Sequence, residues 1–365
     1  MNDADFMRSA LTLARRGLGT VWPNPTVGCV LVNDGEVVGR GWTQPGGRPH
    51  GETEALTRAG TRAKGATAYV SLEPCCHHGK TPPCTDALIA AGVARVVVSI
   101  EDPDPRVSGR GIAKLRDAGI AVDIGVGAKE ATEINAGFLM RVAKARPLVT
   151  LKLASTLDGK IATANGESRW ITGDAARQRA HLLRATHDAI MVGANTVVAD
   201  DPLLTCRLPG LEGRSPVRIV VDGGLRLPLT SKLVAEAKAV PTWIIHRHGI
   251  DNVRRQVFVD CGIELIEVPV SETLEMDLTT TLAELGKRGI TRVLVEGGAR
   301  LAGALLEADL VDRLAWFHAP MLLGGDGLNA VEAFGATELA SAPRFKRLSV
   351  ETVGGDILEN LMRAD

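Results

Sequence analysis

A histidine, a glutamate and two cysteines stand in an order that suits a catalytic metal ion. The chain reads His50-Gly51-Glu52, and Cys75 and Cys84 follow later. One imidazole and two thiolates are suitable ligands for Zn²⁺, and three protein ligands leave a fourth position open, as in catalytic zinc sites. The two thiolates balance the charge of the ion, so its water is acidified less than in a site of three histidines. A separate base is therefore needed.

Glu52 has the spacing expected of that base. It lies two residues after the histidine, where it can face the open position without being a ligand. In zinc deaminases the metal activates a water that attacks an amidine-like carbon, and a carboxylate moves a proton to the departing ammonia. The ordered pattern of His-x-Glu, Pro-Cys and a later Cys therefore predicts hydrolytic deamination.

The choice of the second ligand has competitors. The usual spacing of the two cysteines is Cys-x-x-Cys, whereas eight residues separate Cys75 from Cys84 and Cys76 offers another thiol. Cys75 is preferred because a proline directly precedes it, as the pattern demands. Cys76, His77 and His78 are then expected in a loop near the mouth of the site. Replacement of one ligand by either of these histidines stays open as an alternative.

The run from Pro74 to Cys84, with Asn24-Pro25-Thr26-Val27-Gly28-Cys29-Val30 before it, resembles the bifunctional deaminase–reductases of bacterial riboflavin biosynthesis. The resemblance covers nearly the whole chain. It implies that an N-terminal domain deaminates a 2,5-diamino-6-ribosylaminopyrimidinone 5′-phosphate with one Zn²⁺ per chain. A C-terminal domain would then reduce the ribosyl group to ribityl with NADPH. The resemblance also implies that Asn24 contacts substrate, and Gly51, where many members carry alanine, should be tolerated.

Composition limits the other classes of function. A chain of 365 residues is long enough for two domains. Its formal net charge of −1 and its 3% of aromatic residues lack the basic grooves and stacking platforms of nucleic-acid binding. The N-terminus has no features of a signal peptide, and no apolar run approaches the roughly 20 residues of a membrane span. Six cysteines in so long a chain favour reduced thiols. We expect a cytoplasmic protein with a small phosphorylated pyrimidine as its partner, no nucleic acid and no membrane.

The elements predicted in the first half would place the metal ligands at the ends of helices and strands. The predicted helices are 3–16, 50–59, 84–91 and 130–144, and the predicted strands are 27–32, 36–41, 68–72 and 95–100. His50, Glu52 and Cys84 thus lie at helix N-termini, whose partial positive charge favours thiolates and other anions. The pattern agrees with the α/β/α sandwich of the cytidine deaminases, which the resemblance implies.

A basic pair and a proline, residues 144–147, predict the domain boundary, with a deaminase domain at 1–145 and a reductase domain at 146–365. Predicted strands follow at 148–155, 189–193, 218–222, 242–246 and 292–296, with helices at 175–185, capped by Asp174, and at 300–308. Alternating strands and helices indicate an α/β domain with a mostly parallel sheet and crossover helices. The resemblance implies a fold like that of dihydrofolate reductase.

The glycine-rich turn after the last of these strands is a candidate cofactor site. Glycines allow a phosphate to approach the backbone, and a helix N-terminus supplies free N–H donors. The spacing is not that of the Rossmann motif, and a tight strand-to-helix turn would have the same sequence. The resemblance implies that this turn binds NADPH. The cofactor residues implied are Ala154, Trp170, Thr196, Asp200, Gly223, Gly298, Ala299, Arg300, Leu301, Ala302 and Gly303.

The string from Val197 to Arg207 matches the same family closely. Two aspartates before a proline could be a solvated turn, but the resemblance places Asp200 catalytically at the junction of ribose and nicotinamide. The substrate residues that it implies are Ser168, Arg184, Leu204, Arg207 and Glu296. Two arginines suit a phosphate because each planar fork can bind it through two hydrogen bonds; surface ion pairs are the alternative.

Gly223 departs from the family, which often has a small hydroxyl residue here, facing the cofactor. Discrimination of NADPH from NADH through that contact is therefore in question. Arg226 or Arg300 could supply a positive partner instead.

Three readings remain for the whole chain, and we favour the two-step enzyme. The first alternative is a deaminase of bases in RNA or DNA, which the near-neutral net charge disfavours. The second is a protein without enzymatic activity that is stabilised by zinc and senses NADPH; release of ammonia from a diaminopyrimidine ribotide would exclude it. We also expect a homo-oligomer, a dimer or a tetramer.

Overall fold

The computed structural model describes residues 2–79, 81–270 and 276–364. The chain divides into two compact units, Met1–Ala145 and Arg146–Asp365. None of the helices in the described residues has both the length and the apolar character needed to cross a membrane.

The first unit contains one five-stranded sheet between helices. Its helices are α1 (Asp3–Ala14), α2 (Gly51–Ala59), α3 (Cys84–Ala90), α4 (Arg110–Asp117), α5 (Ala128–Ile134) and α6 (Ala136–Lys144), and its strands are β1 (Gly28–Asn33), β2 (Glu36–Trp42), β3 (Thr67–Val70), β4 (Arg95–Val98) and β5 (Ala121–Ile124). The strand order is β2-β1-β3-β4-β5. The contacts of β1 with β2 and β3 are antiparallel, and those along β3, β4 and β5 are parallel.

Alternate residues of β1 contribute to two separate cores because successive strand side chains point to opposite faces. Cys29 and Leu31 pack in the core that includes residues of α2, α3 and α4. Val30 and Val32 pack in the core formed with α1 and α5. The α/β/α arrangement expected from the sequence is therefore present.

The predicted helix 130–144 is broken in the structure. Asn135 separates α5 from α6, and its backbone leaves the helical region at φ −95° and ψ 10°. Its buried side chain accepts a hydrogen bond from the Thr26 N–H at 3.0 Å and donates one to the Thr26 carbonyl at 3.2 Å. At this break, the Asn135 side chain satisfies the backbone hydrogen-bonding groups of Thr26 in a distant loop. Helical periodicity in the sequence does not reveal such a contact.

The second unit contains a nine-stranded sheet. Its helices are α7 (Asp174–Thr186), α8 (Ala194–Asp200), α9 (Lys232–Ala235), α10 (Asn252–Asp260), α11 (Leu278–Lys287) and α12 (Ala299–Glu307). Its strands are β6 (Leu148–Thr156), β7 (Lys160–Ala162), β8 (Ala189–Gly193), β9 (Val217–Val221), β10 (Thr242–Arg247), β11 (Glu264–Val268), β12 (Arg292–Val295), β13 (Arg313–Ala319), β14 (Leu328–Asn329), β15 (Phe345–Val353) and β16 (Asp356–Arg363).

The large sheet has the order β11-β10-β9-β8-β12-β6-β13-β16-β15. The seven strands from β11 to β13 in this order are parallel to one another, as the alternating pattern predicted. The sequence reading missed the antiparallel hairpin of β15 and β16 at one edge. Both strands are mostly exposed or half-buried, so they lack a strong apolar signal.

The predicted cap of α7 is wrong. Gly173 occupies the capping position and makes no side-chain bond, while Asp174 is the first helical residue and pairs with Arg177. The Gly173 N–H instead donates to the carboxylate of Asp356 at 2.8 Å. An acid from the far end of the chain therefore satisfies the backbone before this helix.

Candidate functional site

The ligand atoms of His50, Cys75 and Cys84 all lie within 4.8 Å of one another. His50 Nδ1 is 3.3 Å from Cys84 Sγ and 3.6 Å from Cys75 Sγ. Tetrahedral coordination with Zn–N bonds of about 2.0–2.1 Å and Zn–S bonds of about 2.3 Å would separate nitrogen and sulfur by about 3.6 Å. The donor set and its spacing therefore fit zinc. Within the described residues, no other cluster of three such side chains has this geometry.

Secondary structure brings these three ligands together. His50 is the residue before α2, and Cys84 is the first residue of α3, so both lie at helix N-termini. The Cys84 N–H also donates to Cys75 Sγ at 3.3 Å, which favours the thiolate. A Cβ on Gly51 would lie only 2.7 Å from the Val27 carbonyl oxygen, so glycine lets α2 begin close to the chain before β1.

The pKa values of the two thiols shift in opposite directions. Hydrogen bonding from Cys84 is the main cause that lowers the pKa of Cys75 to about 4, and the bond to His50 lowers it further. The same bond to Cys75, together with burial, raises the pKa of the Cys84 thiol well above its usual range. Because metal binding requires deprotonated thiols, a cation bound here would displace the proton of the Cys84 thiol.

Glu52 is buried beside the ligands. Its carboxylate is only 3% exposed, and Oε2 has no hydrogen-bond partner among the described residues. Burial is the main cause that raises its pKa to about 7, although the charge of His50 opposes the shift. A carboxylate with an unpartnered oxygen and a pKa near neutrality is suited to accept and donate a proton.

The structure separates the competing ligands. Cys76 directs its sulfur to the Arg106 carbonyl oxygen at 3.7 Å, and it does not belong to the cluster of three ligand atoms. His77 and His78 are also outside that cluster. The amide of Asn24 lies against Gly47, three residues before His50. Lys80, in the same motif, is outside the described residues.

Glu73 is a buried acid that the sequence reading did not single out. Its Oε1 accepts from the N–H groups of Gly111 and Ile112 at 2.8 and 3.1 Å, and its Oε2 accepts from Asp102 and Gly109 at 3.1 and 3.0 Å. Glu73, which precedes the candidate ligand Cys75 by two residues, thereby fixes the loop before α4 and the first turn of that helix. Its only sequence signal is a position directly before the Pro-Cys pair.

In the second unit, Arg184 and Glu296 form a buried ion pair. Arg184 Nε is 2.7 Å from Oε1 and its terminal nitrogen is 2.8 Å from Oε2, while the other terminal nitrogen donates to the Thr205 carbonyl at 3.0 Å. Burial alone would raise the pKa of Glu296, but the charges of Arg184 and Lys152 lower it. The guanidinium of Arg184 thus orients Glu296, whereas the sequence predicted that it would bind phosphate together with Arg207.

Lys152 and His181 are two further residues of this cluster that sequence reasoning missed. Burial lowers the pKa of Lys152, while Glu296 opposes that shift. His181 Nδ1 accepts the N–H of Arg207 at 3.3 Å, and burial together with the arginine charges lowers the pKa of His181 to about 4. Neither residue lies in a recognisable motif, so only their position in the fold reveals them.

The remaining predicted substrate residues have different surroundings. The side chain of Leu204 is 3% exposed and belongs to an apolar core. Only its backbone is therefore available to a ligand. Ser168 is half-buried, and Arg207 is exposed.

A cavity of about 440 Å³ lies at the carboxyl ends of the parallel strands β8, β9, β10 and β12. Ligands of open parallel sheets bind at this edge. The predicted cofactor residues that line it are Thr196, Gly223, Gly298, Arg300 and Leu301. Those that are not among its lining residues are Ala154, Trp170, Asp200, Ala299, Ala302 and Gly303.

The backbone explains two glycines of this turn. Gly297 and Gly298 have φ values of 142° and 86°, which side-chain-bearing residues rarely adopt. Gly303 instead faces away, since a Cβ there would lie 3.0 Å from the Glu332 carbonyl oxygen. Ala154 similarly packs against an apolar core.

The adjacent aspartates at the end of α8 have different environments. Asp201 accepts the Lys232 N–H at 2.8 Å and forms an ion pair with its ammonium at 3.4 Å. Asp200 is exposed, and its carboxylate makes no hydrogen bond or ion pair within the described part of the chain. Trp170 is also exposed, with Arg177 stacked over its ring at 4.3 Å.

Two family models match the chain. The model described as the cytidine and deoxycytidylate deaminase zinc-binding region matches residues 1–100, and the RibD C-terminal domain matches residues 147–358.

Full-length relatives are also similar. The riboflavin biosynthesis protein RibD of Escherichia coli K12 is 44% identical and covers 100% of both chains, and that of Aquifex aeolicus is 42% identical over 98% of this chain and 97% of its own. Among solved structures, Acinetobacter baumannii RibD has a TM-score of 0.89 at 40% identity, covering 100% of this chain and 99% of its own. The Thermotoga maritima diaminohydroxyphosphoribosylaminopyrimidine deaminase/5-amino-6-(5-phosphoribosylamino)uracil reductase has a TM-score of 0.85 at 36% identity, covering 99% of both chains.

Proposed function

The chain belongs to the RibD family and is a bifunctional deaminase and reductase of riboflavin biosynthesis, and we propose that residues 1–145 carry its deaminase site and residues 146–365 its reductase site. The enzyme deaminates 2,5-diamino-6-ribosylamino-4(3H)-pyrimidinone 5′-phosphate and reduces the ribosyl side chain of the product, which gives 5-amino-6-ribitylaminouracil 5′-phosphate. The observation that carries the assignment of the first site is the buried, unpartnered carboxylate of Glu52 beside three convergent metal ligands.

In the deaminase site, His50, Cys75 and Cys84 would hold the metal. When bound, Zn²⁺ supplies a Lewis acid that activates water. Glu52 takes a proton from the attacking water and returns it to the amino group, which then leaves as ammonia. Burial of the carboxylate suits this role because it keeps competing hydrogen-bond donors away from Oε2.

In the reductase site, we assign the cavity between the strand ends to NADPH. When bound, that cofactor supplies the hydride. Glu296, fixed by the guanidinium of Arg184, offers carboxylate oxygens that can accept hydrogen bonds from the N–H groups of the pyrimidine. Arg207 is the arginine left for the phosphate, because Arg184 already binds Glu296. Asp200 would stand beside the ribose.

The wider predictions rest on separate arguments. A formal net charge of −1 and 3% aromatic residues support a small-molecule substrate without a nucleic-acid partner. The metal site requires reduced thiols, which a cytoplasmic location would preserve. The homo-oligomer, a dimer or a tetramer, stays a prediction.

Substitution of the cysteines tests the ligand set. We expect Cys75→Ser and Cys84→Ser to lose most of the bound zinc, whereas Cys76→Ser keeps it, because the Cys76 sulfur contacts the Arg106 carbonyl instead of the cluster. Zinc per chain is measured by atomic absorption after dialysis, with folding checked by circular dichroism. Zinc loss from Cys76→Ser with retention in Cys75→Ser would move the ligand to Cys76.

Chelation tests whether the two activities are separable. Removal of zinc from the full-length protein should abolish deamination but leave reduction of already deaminated substrate unchanged, since all three ligands precede the division at Ala145/Arg146. Ammonia release and NADPH absorbance measure the two steps. A matching loss of reduction on chelation, restored by added zinc, would show that the reductase site also depends on the metal.

A further inference from the structure

The cavity at the strand ends has a one-sided charge. Arg226, Arg247 and Arg300 line it, and none of its described lining residues is acidic. A concave site lined by positive charges favours an anionic ligand. Its volume of about 440 Å³ falls in the range of small-molecule and cofactor sites.

The three arginines occupy two different ends of this cavity. Arg300 lies in the first turn of α12, directly after Gly297 and Gly298, where free backbone N–H groups suit a pyrophosphate. Arg226 follows strand β9, and Arg247 is the last residue of its parallel neighbour β10. They therefore flank the opposite end of the cavity from the glycine-rich turn.

The local backbone holds these two arginines near one position. The Arg247 N–H donates to the Gly223 carbonyl at 3.2 Å. Arg226 follows Gly223 by three residues, so the backbones of both arginines are tied to the same turn. Arg226 is 70% exposed, and its Nε lies 3.7 Å from Asp222 Oδ1. The Arg247 guanidinium makes no hydrogen bond or ion pair within the described residues. Both guanidinium groups are thus available to a ligand.

Gly223 has no side chain that could bind the cofactor. A Cβ on Gly223 would lie 3.0 Å from the Met276 sulfur and 3.6 Å from its Cγ. A side chain at position 223 would therefore press on the side chain of Met276. Any selectivity at this end of the cavity has to come from the flanking residues.

We propose that Arg226 and Arg247 form the subsite for the 2′-phosphate of the adenosine ribose and so determine the preference for NADPH over NADH. A phosphate at this point would receive two guanidinium forks, each able to form paired charge-assisted hydrogen bonds. The inference rests on the proposed function, because it assumes that a nicotinamide dinucleotide occupies the cavity.

The test compares the affinities of the full-length protein for NADPH and NADH by fluorescence titration. We expect Arg226→Gln and Arg247→Gln each to weaken NADPH binding about tenfold or more, the scale of a lost charge-assisted hydrogen bond. NADH binding should change less than about twofold, because that cofactor lacks the phosphate. Arg347→Gln is the matched control, since it removes the same charge from β15 at the far edge of the sheet.

Equal weakening of both cofactors, or an unchanged ratio of their affinities, would overturn the subsite. Failure of wild-type protein to bind either cofactor would instead refute the proposed function. Two further measurements remain decisive if the glutamine variants do not fold. Arg226→Lys and Arg247→Lys keep the charge but lose the fork, so they should still lower the NADPH preference. In wild-type protein, 2′,5′-ADP should displace NADPH at a concentration at least tenfold lower than ADP, and equal potency would contradict the proposal.

Discussion

Glu52→Gln is expected to retain zinc and to slow deamination by about 10²–10⁴-fold, the usual contribution of a proton-transferring side chain. Glutamine keeps the size of the side chain but cannot accept the proton of the attacking water at this position. The wild-type carboxylate is buried, and its Oε2 has no competing partner among the described residues, so no nearby group replaces it. Ammonia release measures the rate, and atomic absorption measures the metal.

Glu54→Gln is the matched control because Glu54 lies on the same helix and forms an ion pair with Arg58 at 2.9 Å. It should deaminate at nearly the wild-type rate. Reduction of deaminated substrate should be unchanged in both variants. A Glu52→Gln enzyme that holds zinc and deaminates as fast as the Glu54→Gln enzyme would show that Glu52 is not the base.

Asp200→Asn is expected to lower the turnover of the reductase by about 10²-fold or more, with deamination intact. Hydride can be added only to the ring-opened, imine-like C1′, because the closed N-glycoside has no electrophilic double bond. A carboxylate beside the ribose can assist ring opening by accepting the proton that the glycosidic N–H loses and passing it to the ring oxygen, which becomes a hydroxyl. Oxidation of NADPH with deaminated substrate, followed by its absorbance, measures the effect.

Asp201→Asn separates this chemistry from a general effect of charge at the end of α8. Asp201 binds the N–H and the ammonium of Lys232, so its replacement should lower the melting temperature rather than the turnover. An exchange of the two phenotypes would move the catalytic role to Asp201. If neither variant slows hydride transfer, Asp200 only positions the cofactor and solvent is the better proton donor.

The sequence alone determined the family, the α/β class and both activities. The metal motif is informative because few residue types bind zinc, and the order His-x-Glu, Pro-Cys, Cys is rare by chance. The family and the two activities that the resemblance implied are confirmed by the full-length relatives. The alternation of apolar strands and helices also predicted the parallel part of the large sheet, because a crossover helix is needed between parallel strands.

The tertiary structure decided which chemically similar groups meet. It directed the Cys75 sulfur to His50 and the adjacent Cys76 sulfur to a carbonyl oxygen, although the two thiols are identical in type. It also paired Arg184 with Glu296, which is 112 positions away.

Glu73, Lys152 and Arg247 belong to the same category, because the motifs recognised in the sequence do not contain them. Spacing along the chain fixes which residues share a turn or a strand end, so short motifs can be recognised in the sequence. The direction of a side chain and its partners depend instead on strand order and on the packing of elements that are distant in the chain. Burial and charge compensation arise only after those elements have packed. The surroundings of Glu73 and Lys152 therefore could not be predicted from the sequence.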